Sequence, residues 1–177
     1  MLNFGMIGCG SAAEIRGGLG INLSKKAKLI AVSDTDEKVM NSYADKFNIE
    51  LRFSSGYELI EDPSVEAVYI AVPNVFHHPL TIAATSAGKH VLCEKPFGIS
   101  VDENISMIES AKKNSVKLGV SYYRRFYESV QFAKKLIDKG EIGKITMGGL
   151  HATHFLGEFH TPETATRRWL IEKDKAG

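Results

Sequence analysis

Cysteine is scarce in this chain: 177 residues include two, Cys9 and Cys93. They sit on separate strand-like segments with no CxxC spacing and no histidine-rich neighbourhood, which argues against a disulfide framework or a thiolate metal site. Two isolated thiols suit a reducing compartment. Long apolar runs are missing too, and none approaches the roughly 20 residues of a membrane span. The amino-terminal MLNFGMIGCG has neither the basic stretch nor the cleavage site of a signal peptide. Charge of one sign is lacking as well. Lys and Arg total 22 against 21 Asp and Glu, a net charge of +1, so no basic face awaits a nucleic acid or an anionic membrane. Pairs such as Lys25-Lys26 and Lys134-Lys135 read as solvated surface. The expectation is a cytoplasmic protein whose partner is a small molecule.

What is present is alternation. Leu2–Ile7, Lys28–Ser33, Ala67–Val72, His90–Cys93 and Lys117–Ser121 are short apolar runs, and Ala67–Val72 is apolar throughout. Unbroken runs fit parallel strands covered on both faces. Between them lie helical patterns. Val39, Met40, Tyr43, Ala44 and Phe47 recur at helical spacing. Ser55-x-x-Glu58 and Ser100-x-x-Glu103 have the form of capping boxes, the second opening a helix with Val101, Ile105, Ile108 and Ala111 on one face. Thr81–Ala87 reads as a helix closed by Gly88. The first helix is opposed by Gly17, Gly18 and Gly20, each costing about 1 kcal/mol relative to Ala. Strand–helix alternation predicts an α/β fold, a doubly wound parallel sheet of the Rossmann type, over residues 1–121. The pattern changes near Ser121. Residues 122–177 read as the start of an incomplete α+β domain: a helix through Val130, Ala133, Leu136 and Ile137 stopped by Gly140, an extended stretch over 144–155, and a polar tail.

The chemistry-bearing residues stand where strands end. Gly8-Cys9-Gly10-Ser11-Ala12-Ala13 matches G-x-G-x-x-A after the first strand. There the first glycine allows a tight turn, the second admits a pyrophosphate, and the small third residue lets the helix pack closely. Helix-start N–H groups would meet the phosphate. Asp34 ends the second strand about 20 residues later, the place of an acid that accepts hydrogen bonds from the adenosine ribose. A carboxylate there repels the 2′-phosphate of NADP, and no Arg or Lys follows before Lys38, so NAD is favoured over NADP. Asp36 stays free to cap the next helix. Val72-Pro73-Asn74 and His77 follow the third apolar run and border the same rim. His77-His78 reads as a turn and helix start rather than a metal site, for want of a third ligand. Glu94-Lys95-Pro96 closes the next strand. Oxidising an alcohol by hydride transfer needs a base for the hydroxyl proton, and a lysine serves if burial and a nearby cation ease its deprotonation. Pro96 is a candidate for a cis bond. The bland alternative is a surface ion pair between Glu94 and Lys95.

Together these residues resemble the Gfo/Idh/MocA oxidoreductase family. The likeness runs through Gly8–Ala13, Asp34, Pro73-Asn74-x-x-His77 and Ala87-Gly-Lys-His-Val-Leu-Cys-Glu-Lys-Pro96, then Tyr123-Arg-Arg-Phe126, Gly140-Glu-Ile-Gly143 and Trp169. It implies an NAD(P)-dependent dehydrogenase acting on sugars, polyols or related alcohols. It gives Lys95 contact with the substrate hydroxyl and nicotinamide ribose, and adds Arg125 and Trp169 to the cofactor contacts. It also implies a second, mostly antiparallel sheet that forms homo-oligomers and supplies an aspartate and a histidine. The sequence departs there, ending at Ala176-Gly177 where the stretch bearing that pair is expected to begin. His151 and His154 do not replace the histidine, since residues three apart on a strand face opposite ways. The expectation is a chain that binds NAD without turning over a polyol alone, its 144–155 strand pairing with a second chain. Two other readings stay open: a non-catalytic NAD(H)-binding module, and an NAD-dependent glycosidase of the same family.

Overall fold

The structure, a computed structural model, describes residues 1–149 and His151. The chain divides into two compact units, with the break between Ser121 and Tyr122. The first holds a six-stranded parallel sheet. Its strands are β1 (Leu2–Ile7), β2 (Ala27–Ser33), β3 (Leu51–Phe53), β4 (Ala67–Ile70), β5 (His90–Cys93) and β6 (Leu118–Val120). They lie in the order β3-β2-β1-β4-β5-β6. Helices α1 (Leu19–Leu23), α2 (Glu37–Phe47), α3 (Gly56–Glu61), α4 (His77–Ser86) and α5 (Val101–Lys113) connect them.

The unbroken apolar runs are explained by two cores, one on each face. Successive strand residues point opposite ways. Met6, Val32 and Tyr69 therefore join Ile21, Met40, Tyr43 and Ala44 of α1 and α2 on one side. Ile7, Ala31, Val68 and Ile70 join Leu59, Leu80 and Ala84 of α3 and α4 on the other. Among the described residues no helix is long and apolar enough to cross a membrane.

Several boundaries differ from expectation. Strand β3 was not foreseen: three residues, one of them Arg52, are too short to show a period. Strand β4 stops at Ile70 rather than Val72, because the chain turns toward Pro73, which has no N–H for a ladder. Helix α4 begins four residues early, at His77. Pro79 falls in its first turn, where a missing N–H breaks no helical bond. The box at Ser55 is not reciprocal: Ser55 Oγ accepts from the Tyr57 N–H at 3.2 Å, while Glu58 pairs with Ser54. At α5, Ser100 accepts from the Glu103 N–H at 3.2 Å, and Glu103 accepts from the Ile99 N–H at 2.9 Å. Of the α5 face, Ala111 is buried, whereas Val101, Ile105 and Ile108 are exposed; Met107 fills the core instead.

The first helix exists despite its glycines. A π-helical segment, Ala13–Gly18, leads into α1. A Cβ on Gly17 would stand 2.7 Å from Met6 Cε, and one on Gly18 would collide with the Tyr43 hydroxyl. Two glycines therefore bring this helix against sheet and α2. Gly20 has open space where its Cβ would be.

In the second unit a 3₁₀ turn (Tyr123–Phe126) precedes α6 (Glu128–Asp138), and Gly140 at φ +71° ends the helix as expected. No residue of α6 is buried. Residues 144–149 and His151 form no strand. A strand requires a hydrogen-bonded neighbour, and no other strand occurs among the described residues of this unit. The remainder of the 144–155 expectation, with His154 and Trp169, lies outside the described residues.

The glycine geometry gives opposite expectations for two neighbouring substitutions. Gly18→Ala should destabilise the fold by about 1–3 kcal/mol through overpacking against Tyr43. Gly20→Ala should stabilise it by up to about 1 kcal/mol through helix propensity. Urea unfolding of both variants checks the pair; equal effects would contradict the packing.

Candidate functional site

The first turn is built by a conformation and a contact. Gly8 has φ +89°, and a Cβ there would sit 2.5 Å from the Ala71 carbonyl oxygen, so only glycine allows β1 to turn this close to β4. Gly10 is different. Its Cβ would meet nothing within 4 Å, and the residue is exposed. Packing does not demand glycine at 10, which leaves room over the backbone for a ligand. Ala13 is fully buried under the helix it opens. Ser11 is exposed and Ala12 half-buried on the same loop.

Asp34 joins this turn to β2. One carboxylate oxygen accepts from the Cys9 N–H at 2.7 Å, the other from the Asp36 N–H at 2.9 Å. Each oxygen keeps a second lone pair, so a ribose hydroxyl can still be held. Asp36 caps α2, accepting from the N–H groups of Lys38 and Val39 at 2.9 and 3.2 Å. The Cys9 thiol is buried and faces the Ser33 carbonyl at 3.7 Å. Burial, with Asp34 adding, pushes it up to about 12. Burial does the same for Cys93, against a Thr81 hydrogen bond that lowers it, again to about 12. Both thiols stay protonated at neutral pH, which removes them as nucleophiles.

The other half of the rim is held by buried polar side chains. His77 is 1% exposed, so this histidine pair is a helix start but not a surface one. Its Nδ1 lies 2.8 Å from the Pro96 carbonyl oxygen and its Nε2 3.0 Å from that of Val72. An imidazole carries a proton on at least one nitrogen, so at least one contact is a donated hydrogen bond. The ring spans the ends of β4 and β5. His78 turns away, to Ser106 Oγ at 2.8 Å. Asn74 is buried beside them. No group of three potential metal ligands gathers among the described residues.

Glu94 is 4% exposed. It accepts from the Tyr69 hydroxyl at 2.7 Å and from the Lys95 N–H at 3.2 Å, and Arg16 lies 3.9 Å away. The bland alternative of a Glu94–Lys95 surface pair does not hold: the partners of the Glu94 carboxylate include Tyr69 and Arg16, not the Lys95 ammonium. Burial and the Glu94 hydrogen bond raise the Tyr69 hydroxyl, against Ser121, which lowers it, so it remains a donor. The Lys95–Pro96 bond is cis. Lys95 itself is exposed, so the burial expected to act on it is not supplied by the described residues. Sequence reasoning missed Tyr69 and Arg16. The signal for Tyr69 was available, since a hydroxyl inside a fully buried strand must find a partner.

Gly8–Ala13, Asp34, Val72–Asn74, His77 and Glu94–Pro96 thus lie at the carboxyl ends of four adjacent parallel strands, where open α/β sheets bind ligands. The open space at Gly10 and the pinned acid at 34 fit a dinucleotide. Arg125 is exposed in the 3₁₀ turn of the second unit, its guanidinium carbon 5.7 Å from the Phe126 ring centre.

Comparison with known proteins agrees. Myo-inositol 2-dehydrogenase of Thermotoga maritima is 34% identical over 143 residues, covering 81% of this chain and 42% of the relative. The scyllo-inositol 2-dehydrogenase (NAD(+)) of Bacillus subtilis is 36% identical over 118 residues, 67% of this chain and 34% of the relative. The crystal structure of scyllo-inositol dehydrogenase from Lactobacillus casei with bound NAD(H) and scyllo-inositol matches with TM-score 0.77 at 28% identity, covering 82% of this chain and 43% of that one. The chain spans less than half the length of these relatives. The family model described as "Oxidoreductase family, NAD-binding Rossmann fold" matches residues 2–122. On this ground the chain belongs to the Gfo/Idh/MocA oxidoreductase family.

Proposed function

We propose that this chain is the cofactor-binding part of an NAD-dependent oxidoreductase that transfers a hydride between a nicotinamide cofactor and a sugar, polyol or related alcohol. One observation carries the reading. Four separate sequence segments, each apt for one part of a dinucleotide, meet the neighbouring strands β2, β1, β4 and β5 in that spatial order. Asp34 would hold the adenosine ribose, Gly8–Ala13 the pyrophosphate, and Val72–Asn74, His77 and Glu94–Pro96 the nicotinamide end. The inositol dehydrogenases among the relatives support a polyhydroxylated substrate.

The cofactor, when bound, supplies the hydride acceptor. The chain supplies position and a proton path. The glycine turn leaves backbone open toward a phosphate, where a helix start favours an anion. Buried Glu94 holds the Lys95 N–H, so the lysine leaves the rim from a fixed stem while its amine stays open to a hydroxyl. In its neutral amine form, Lys95 would take the proton of the substrate hydroxyl. Residues 122–177 are read as the opening of the substrate and oligomerisation domain. The exposed Val130, Phe132 and Ile137 of α6 support an apolar partner surface of this kind, as in a homo-oligomer. Two buried free thiols support a reducing, cytoplasmic setting.

Calorimetric titration should find NADH bound more tightly than NADPH, because Asp34 repels a 2′-phosphate. Asp34→Ala should narrow that gap. Equal affinity for the two cofactors in the unsubstituted chain would remove Asp34 as the ribose acid. In an active full-length form assayed against inositols and other polyols, Lys95→Ala should lower turnover by about 10²–10⁴-fold, the scale of a positioned acid–base group, with a smaller effect on cofactor binding. Turnover near that of the parent would return Lys95 to a surface role.

A further inference from the structure

An open cavity of about 670 Å³ lies at the carboxyl ends of β2 and β3, beside the first turns of α2. Asp34 lines it, so it is where the 2′ position of an adenosine ribose would point. Its charged lining is three carboxylates, Asp34, Glu37 and Glu58, and one cation, Arg52. Sequence reading weighs the basic residues directly after Asp34; Arg52 enters from the neighbouring strand, opposite Val32 in the β2–β3 register.

An arginine beside the ribose is the usual means of accepting a 2′-phosphate, yet here the guanidinium is engaged. Nη1 donates to Asn41 Oδ1 at 2.8 Å and Nη2 to Asp45 Oδ1 at 2.6 Å. Asn41 and Asp45 are one turn apart on α2 and so reach two nitrogens of one planar group. The Asp45 side chain is 70% exposed and that of Arg52 33%, so the pair is screened by water and weak enough to be displaced.

We propose that Asp45 is a second determinant of cofactor choice: by holding Arg52 it withholds the cation lining this cavity from a 2′-phosphate, and Arg52 is a latent ligand for that group. The inference rests on the reading that Asp34 binds the adenosine ribose. With Arg52 paired, the cavity presents the uncompensated carboxylates Asp34, Glu37 and Glu58 to a group that carries about two negative charges at neutral pH.

The test titrates NADH and NADPH, at low salt, into the 177-residue chain carrying Asp34→Ala, Asp45→Ala, both together, and both with Arg52→Gln. Asp45→Asn, which keeps shape without charge, is run beside Asp45→Ala. In Asp45→Ala and Asp45→Asn, NADH affinity unchanged within about twofold reports a folded variant. For those carrying Asp34→Ala, where NADH itself should weaken, circular dichroism and urea unfolding report it, and the NADH-to-NADPH ratio is the readout. Asp45→Ala and Asp45→Asn should each tighten NADPH by roughly 2–5-fold, the scale of an exposed ion pair. The gain should add to that of Asp34→Ala and vanish when Arg52→Gln is included. No NADPH gain in either Asp45 variant, or a gain that survives Arg52→Gln, overturns the proposal while leaving Asp34 in place. An NADH-to-NADPH ratio unaltered by Asp34→Ala overturns the ribose reading and the proposal with it.

Discussion

The site depends on one carboxylate. Asp34 accepts hydrogen bonds from the backbone at both of its oxygens, from Cys9 in the first turn and from Asp36 at the start of α2. The turn after β1 and the turn after β2 are thereby fixed relative to each other, beside the buried Cys9 side chain that faces the Ser33 carbonyl. That matters because the space over the turn is empty: Gly8 is locked against Ala71, whereas a Cβ on Gly10 would meet nothing within 4 Å, and the Gly10 carbonyl accepts from the Glu14 N–H. A loop that stays open for a ligand cannot be stabilised by filling it. Backbone-to-carboxylate bonds solve this, since they fix the main chain from beneath and leave its upper surface clear.

The opposite end of the rim is organised by burial. His77 and Glu94 are polar side chains sunk almost completely below the surface, each with a partner on another strand end or strand, Pro96 for His77 and Tyr69 for Glu94. An unsatisfied buried polar group costs about 1–3 kcal/mol, so these bonds couple local positions to the fold itself. His77 bridges the β4 and β5 ends, and Glu94 locks the stem of Lys95 to Tyr69 of β4. Lys95 projects outward from a frame that has little freedom to shift.

Much of this was legible in the sequence where a local rule decides the outcome. Apolar runs with no polar alternation announced strands covered on both faces, and the two separate cores bear that out. The same holds for Asp36 as a cap and Gly88 and Gly140 as helix ends, because capping involves residues a few positions apart. Legibility failed where the deciding partner is remote. The cost assigned to Gly17 and Gly18 was correct as propensity, yet the reason for those glycines is Met6, Tyr69 and Tyr43. For Glu94 the local alternative was an ion pair with its neighbour, whereas its side-chain partners lie on β4 and on the first helix. Strand β3 was missed because three residues carry no period, and with it went Arg52. The α5 stripe shows the converse error. Helical spacing identifies a face, but Val101, Ile105 and Ile108 share theirs with water in this unit, and Met107 does the packing.

The two ends of the rim differ in what perturbs them. At the Asp34 end, Glu37, Glu58 and the Arg52–Asp45 pair are partly exposed charges at or beside a cavity open to solvent. Their interactions are long-ranged, screened by salt and replaceable one at a time. At the Lys95 end the groups are buried hydrogen bonds that are short, directional and interdependent, so loss of one strands its partner away from water. Under the proposed cofactor reading, the choice between NAD and NADP can therefore vary by these surface charges without disturbing the fold. The geometry that presents Lys95 cannot, because the residues that aim the lysine are the same ones that keep β4 and β5 joined at their ends.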